Sequence, residues 1–298
     1  MPSRPDEMIM KAVERKRKLM CMAAVAVISL ASLPVPASAA ESDDASASFD
    51  FAYADLADLA IAAELVIKAE IRKQATLSPE RSPSLRPGWA RLYIEAQTQA
   101  LIAGNAPIGE SLKYLVDVPL DANGKVPKLK KQSVLLFARS VPGRPGELQL
   151  VDVDAQIPAD PQTEARTRAI LTELASPDAP PQIKGVNDAI SVAGNLAGES
   201  ETQVFLDAED GASVALSVIR RPGMPPEWGV SWTELVDQSA QAPQHGTLEW
   251  YRLACFLPDS LPPEAILSRD GASRVRAAQD YRLVKDELGQ CTRNRLTY

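Results

Sequence analysis

The chain has one histidine and three cysteines, and aromatic side chains make up 5% of its 298 residues. A single imidazole, His245, excludes zinc sites built on two or three histidines. Any Ser-His-Asp or Cys-His arrangement would have to use that one ring. His245 lies in APQHG, between Pro243 and Gly246 and just before a helix start at Thr247. No nucleophile motif accompanies it, so it reads as a solvated loop residue. Gly-x-Ser-x-Gly is missing: the nearest stretch, Gly211-Ala212-Ser213-Val214-Ala215, lacks the second glycine and falls in a hairpin. The phosphate-cradling GxxxxGK[ST] loop, the dinucleotide GxGxxG turn and the EF-hand ligand order are missing too. No repeat of solenoid period occurs. These gaps leave no catalytic residue, metal ligand or cofactor site to assign.

Long apolar runs are scarce as well, and the one near the start has a specific form. Lys11 to Lys18 reads KAVERKRK, and Leu19 to Leu33 is the apolar run LMCMAAVAVISLASL. Pro34 and Pro36 break it, and Ala37-Ser38-Ala39 is a small-x-small site. Basic, apolar and small in that order is a Sec-type signal peptide, residues 1–39, with cleavage after Ala39 or Ala40. The run is shorter than the roughly 20 residues of a membrane-spanning helix. The long basic region leaves Met1, Met8 and Met10 open as the start. Cys21 is preceded by Lys18-Leu19-Met20, and its apolar run follows it, so it does not read as a lipidation site. The expected location is the periplasm or the outside of the cell, with no stable membrane insertion after cleavage.

Cleavage leaves Cys255 and Cys291. An exported chain with an even cysteine count most simply pairs them. Closing that loop stabilises a fold by about 3–4 kcal/mol in the chain-entropy model. A reactive Cys255 would want a histidine or a helix N-terminus beside it to lower its pKa.

The whole chain has 32 basic and 39 acidic residues, of which the first 40 residues hold 6 and 3. The remaining 26 and 36 give a net charge of −10, from −7 for the whole. That balance argues against nucleic acid or an anionic membrane as partner.

Residues 40–52, including ESDDASAS, are small, polar and acidic and read as a disordered leader. YADLADLAIAA, 53–63, has Leu56, Leu59 and Ala63 on one face, a short helix. In IKAEIRKQ, Ile67, Ala69 and Ile71 alternate with Lys68, Glu70 and Arg72, a half-buried strand. A Pro/Ser/Arg loop follows. ARLYIEAQT, SLKYLVDVPL, SVLLFAR and ELQLVDV are four further strands, with a turn at Asp121–Gly124. Five strands without long helices between them predict a small antiparallel barrel or sandwich over 53–155. Asp160-Pro161 opens a helix, and 156–181 reads as a helical, Pro-rich connector. In 182–298, a β region starts near Ile183. TQVFLDA and SVALSVIRR form a hairpin across Glu209–Gly211, and EWGVSW is a further strand. Helical segments at 233–240, 247–257 and 272–288 close the chain. The last carries an apolar stripe of Val275, Ala278, Tyr281, Val284 and Leu288, with Gly289 as its C-cap. The fold class is α+β: a small antiparallel barrel, OB-like, then a second antiparallel β region closed by C-terminal helices.

Binding candidates are few. Trp228 and Trp232, four apart on a strand, could stack a sugar or a peptide, or fill core. Lys128, Lys130 and Lys131, in KVPKLKK, could meet an anionic partner; they also suit gatekeepers that flank an aggregating strand and blunt an edge. The acid groups Asp152 with Asp154, and Asp207, Glu209 and Asp210, could do acid/base work or hold calcium, and read more simply as solvated turns.

The segments FAYADLADLA, LVIKAEIRKQ, ARLYIEAQTQALIAG, YLVDVPLDANGKVPKLKKQSVLLFAR, ETQVFL and WYRLACFLP resemble an uncharacterised exported protein family of sphingomonad-type alphaproteobacteria. That family brings no activity with it. Residues 56–151 are similar in outline to OB-fold modules of exported, inhibitor-like domains. The N-terminal cysteine such inhibitors use is missing here, so inhibition does not carry over. The expected function is a non-catalytic binding or interaction module in the periplasm, taking an unknown protein or small ligand. A carboxylate-based hydrolase and an envelope structural or assembly factor are the alternatives.

Overall fold

A computed structural model of the chain describes residues 51–233 and 240–295. Helix α1 is Tyr53–Ala62, and it buries Leu56 and Leu59 as its spacing predicts. Strands β1 (Leu65–Thr76), β2 (Trp89–Ala103), β3 (Ser111–Pro119), β4 (Ser133–Ser140), β5 (Leu148–Leu150) and β6 (Gln156–Pro158) form the first sheet. Its order is β3-β2-β1-β4-β5, antiparallel throughout, with β6 also on β4. The ladder is an open path and does not run round into a closed barrel. The sheet bends back on itself nonetheless. β1 and β2 shift register three times, which adds twist and curvature. Lys113 and Glu147 form an isolated parallel bridge between the β3 end and the approach to β5. The Asp117 N–H donates to Val153 O at 2.7 Å. β4 is buried on both faces from Val134 to Ala138, which explains its unbroken apolar sequence.

Helix α2 (Pro161–Leu174) starts where Asp160 accepts from the Gln162 and Thr163 N–H groups at 3.0 and 2.9 Å. Strands β7 (Ile183–Ala193), β8 (Ser200–Ala208), β9 (Val214–Arg220) and β10 (Glu227–Ser231) form the second sheet, a meander in the order β10-β9-β8-β7. The β8–β9 turn at 209–213 places Gly211 at φ +75°, a conformation that favours glycine. Helix α3 is Leu248–Ala254 and α4 is Gly271–Leu288. α3 is shorter than the expected 247–257, because Thr247 is its N-cap and the chain leaves the helix after Ala254. The expected helix at 233–240 falls mostly outside the described residues. α1 packs on α2, α3 and β4, while α4 crosses β7 and β8. Apolar residues of both sheets and all four helices belong to one buried cluster. Among the described residues no helix is long and apolar enough to cross a membrane.

The α4 stripe differs from its expected position. Val275 is 57% exposed, and the buried face is Ala277, Asp280, Tyr281, Val284 and Leu288. A buried carboxylate sits inside that face because Arg220 of β9 meets it, Nε to Oδ1 at 2.6 Å. Apolar counting along the helix could not place a partner from another strand.

Cys255 and Cys291 form a disulfide, with Cα atoms 5.0 Å apart across 36 residues of sequence. It ties the end of α3 to the segment that follows α4. In the chain-entropy model a loop of that length contributes about 4 kcal/mol. Reduction, or the Cys255→Ala/Cys291→Ala pair, should lower unfolding free energy by about that amount in urea titrations. Thiol labelling of the denatured, non-reduced protein should find neither of these two sulfurs free; two labelled thiols would contradict the pairing.

Candidate functional site

The segment after α4 turns back across the N-terminal end of α1. Asp55, 1% exposed in the first turn of α1, accepts from the N–H groups of Ala52 at 2.9 Å, Asn294 at 3.0 Å and Arg295 at 3.1 Å. Asp58, one turn on, takes the Arg293 guanidinium at 2.6 Å and the Tyr251 hydroxyl at 2.5 Å. Arg295 reaches the first sheet and bonds Asp152 at 3.1 Å and also Asp154. Burial pushes the Asp154 carboxyl above its usual range, and Arg295 offsets part of that rise. The pair Asp152 and Asp154, picked out by sequence as an acid cluster, is thus the socket of an arginine.

This strap closes one side of a cavity of about 310 Å³. Phe51, Trp89, Val118, Pro119 and Pro158 supply apolar wall, with Gln156, Asn294 and Arg295 at the rim. Trp89 opens β2 and Pro119 ends β3, and the two are register partners. Arg86 lies over the Trp89 ring, 5.5 Å from its centroid. Beneath, Arg91 and Asp117 form a two-point pair, Nε–Oδ1 at 2.6 Å and Nη2–Oδ2 at 2.7 Å, with the Asp117 side chain 1% exposed. Each polar group of the rim that bears a charge is already committed to an opposite charge. The cavity thus presents apolar wall over charges that are already paired.

A second cavity, about 470 Å³, lies on the other side of the α1 start, against α2 and Gly246. His245 stands on the Trp250 ring at 4.1 Å between centroids. Glu173 of α2 accepts from the Leu248 N–H at 2.7 Å and so caps α3 from outside the helix. Burial, and then the charge of Glu173, push the Glu249 carboxyl up. The Tyr53 hydroxyl is buried without a hydrogen-bond partner among the described residues, and burial together with Glu173 raises its pKa. This carboxylate pair escaped the sequence reading, since its members are far apart and no motif joins them.

The other sequence candidates fall elsewhere. Trp228 is 8% exposed, and its Nε1 donates to Glu287 of α4 at 2.6 Å. It is a core residue with a fixed partner, so it does not offer a stacking face. Trp232 lies one residue past β10, half-buried. Lys128, Lys130 and Lys131 are exposed around Leu129, which is 9% exposed. Leu129 N–H donates to the Gln74 side chain at 2.6 Å, and Lys131 N–H to Ile71 O at 2.7 Å with φ +72°. This segment covers the edge of β1 beyond Glu70, where pairing with β4 ends. Asp210 accepts from the Ala212 N–H in the β8–β9 turn at 3.0 Å. Among the described residues no group of three or more His, Cys, Asp or Glu side chains is gathered as a metal site.

No protein-family model matches this chain, and no curated protein matches it in sequence.

Asp55→Asn should turn an amide N–H toward backbone donors that now meet a carboxylate. The expected loss is about 2–4 kcal/mol of stability, since a buried acceptor of three hydrogen bonds is compromised. Amide exchange at 293–295 should rise more than at β4; equal protection in wild type and variant would show that Asp55 does not hold the strap.

Proposed function

We propose that the protein is a non-catalytic binding module that takes an apolar side chain or ring into the cavity beside Trp89. The observation that carries this reading is the composition of that cavity: aromatic and proline walls over ion pairs already complete. Its volume of about 310 Å³ lies at the lower end of ligand pockets, which run from about 300 to 1,000 Å³. A tryptophan face and two prolines favour an aromatic or proline-bearing group, because flat, rigid surfaces bury area at little entropic cost. The hydrolase alternative has the Glu173–Glu249 pair in its favour, where one carboxyl is raised by burial beside another. The assembly-factor alternative has no comparable feature.

The first sheet supports an OB-type reading. In it β1 pairs with both β2 and β4, and β3 runs beside the approach to β5 in the parallel sense. OB-folds are partly open five-stranded barrels that serve as binding modules. The resemblance to exported sphingomonad-type proteins and the signal-like residues 1–39 make the periplasm the proposed location, with a protein or small-molecule partner there.

Two measurements test this. Titration with N-acetyl-phenylalaninamide, followed by NMR, should shift Trp89 and Val118, and Trp89→Ala should weaken binding at least tenfold, or about 1.4 kcal/mol. Shifts at Glu173 and Glu249 alone, with cleavage of ester analogues, would favour the hydrolase instead. Intact mass of protein recovered from the periplasm should lack the first 39 or 40 residues; full-length chain in the membrane fraction would refute export with cleavage.

A further inference from the structure

We propose that the cleft between the β7–β8 hairpin and the first turns of α4 binds a small amphiphilic carboxylate, an acid head with a medium-length apolar chain. This site is separate from the Trp89 cavity and does not depend on it. The cleft has a volume of about 810 Å³, within the range of ligand pockets.

Its walls are apolar and open to solvent. Leu196 at the hairpin tip is 62% exposed and Val275 on α4 is 57% exposed. Ala193 and Ala272 extend the two walls. Exposed apolar side chains are unremarkable singly, but facing pairs across a cleft mark a place where an apolar group can leave water.

Its floor is basic. Arg220 and Arg276 both line it. Arg220 is paired with Asp280, which is fully buried and also hydrogen-bonds Thr202. Arg276 is half-buried, and its hydrogen bonds go to two neutral groups, Ser191 Oγ and Ser273 Oγ, each at 2.9 Å. Arg220 thus bonds a carboxylate directly, while Arg276 bonds two hydroxyls and feels the charge of Asp270. The other acids close by are engaged: Glu199 accepts from the Leu196 N–H at 3.1 Å and shapes the hairpin, and Asp270 caps α4 through the Ser273 N–H at 2.8 Å. A half-buried guanidinium whose hydrogen bonds go to hydroxyls gains from an anion in direct contact, and Arg binds carboxylates through its fixed fork of donors.

A third observation is independent of the charges. Ser200 lines the cleft, is 6% exposed, and its hydroxyl has no hydrogen-bond partner among the described residues. A buried hydroxyl without a partner costs roughly 1–3 kcal/mol. Alanine there would remove that cost, so the serine is explained if a ligand oxygen, aided by a small opening of the floor, accepts from it. Head group at Ser200 and Arg276, chain between Leu196 and Val275, is the arrangement that uses all three features.

Calorimetric titration of the protein with decanoate, below its micelle concentration, tests the proposal. Decanoate should bind one site at least tenfold more tightly than decanol, which lacks the charge, or acetate, which lacks the chain. Ser200→Ala should keep or raise the melting temperature and weaken decanoate about five- to tenfold, a combination that a purely structural serine would not produce. Val275→Glu, at an exposed position, should leave the fold intact and abolish binding. No saturable binding to the wild type, decanol binding as tightly as decanoate, or unchanged affinity in Ser200→Ala would each overturn it. Tighter binding of a short apolar peptide through its C-terminal carboxylate would overturn the assignment of a small-molecule ligand.

Discussion

Three backbone N–H groups converge on the carboxylate of Asp55 and tie the segment after α4 to the start of α1. One donor, Ala52, is local to α1; the other two, Asn294 and Arg295, are 239 and 240 residues away in sequence. A contact across so long a loop carries a closure cost that grows with the logarithm of its length. The disulfide divides that cost. Once Cys255 and Cys291 are joined, the strap starts from the end of α3, and α3 already packs on α1. Only a few residues then separate the tie from Asp55, so Arg293 and Arg295 reach Asp58, Asp152 and Asp154 from a short tether. Both cavities beside the α1 start are lined by strap residues, so their shape depends on this one anchored segment.

The same device recurs at other junctions. Lys68 of β1 meets Glu164 of α2 at 2.7 Å, Arg91 joins β2 to β3 through Asp117, and Arg220 joins β9 to α4 through Asp280. Where the carboxylate is buried, as at Asp117 and Asp280, such a pair contributes little net stability against an apolar replacement, yet losing one partner leaves an uncompensated charge. They therefore penalise misregistered packing more than they stabilise the correct one. In an acidic chain this also accounts for carboxylates that a reader of the sequence would set aside for chemistry.

Local patterns were legible where local physics decides them. The alternation in Ile67–Arg72, the unbroken apolar run of β4, the Asp160-Pro161 helix start and the Asp210-Gly211 turn all fold as their spacing implies. The disulfide was legible through the expectation of export and the two cysteines that cleavage would leave. What the residues did not reveal is long-range. Val275 looked like core because its spacing suits the α4 stripe, but Asp280 turns that face toward Arg220. Trp228 stayed open between a stacking face and core, because nothing in β10 shows that Glu287 will take its indole N–H. The Trp89 cavity joins residues 51, 89, 119, 158 and 295, and no spacing rule links them. A strand path that bends round on itself is also invisible to periodicity, since it is made by register shifts between β1 and β2.

Four buried polar atoms lack partners among the described residues: Tyr53 Oη, Ser200 Oγ, Ser217 Oγ and Trp232 Nε1. Native folds keep such atoms rare, so each asks for a cause. Ser217 pairs in register with Gly229, and Gly229 lies so close to the Ala240 carbonyl that an added Cβ would sit 2.1 Å from its oxygen. Burial of Ser217 fits that tight covering of β9 and β10, with Trp232 just beyond the strand end. Ser200 and Tyr53 differ, because each borders open space: Ser200 the cleft under α4, Tyr53 the cavity beside Glu173. A hydroxyl under dense backbone is a by-product of packing. One at the floor of a cleft that Arg276 also lines is placed where an incoming acceptor would satisfy it. That contrast sets Ser200 and Tyr53 apart from Ser217, and the ligand proposed for the cleft under α4 rests on it.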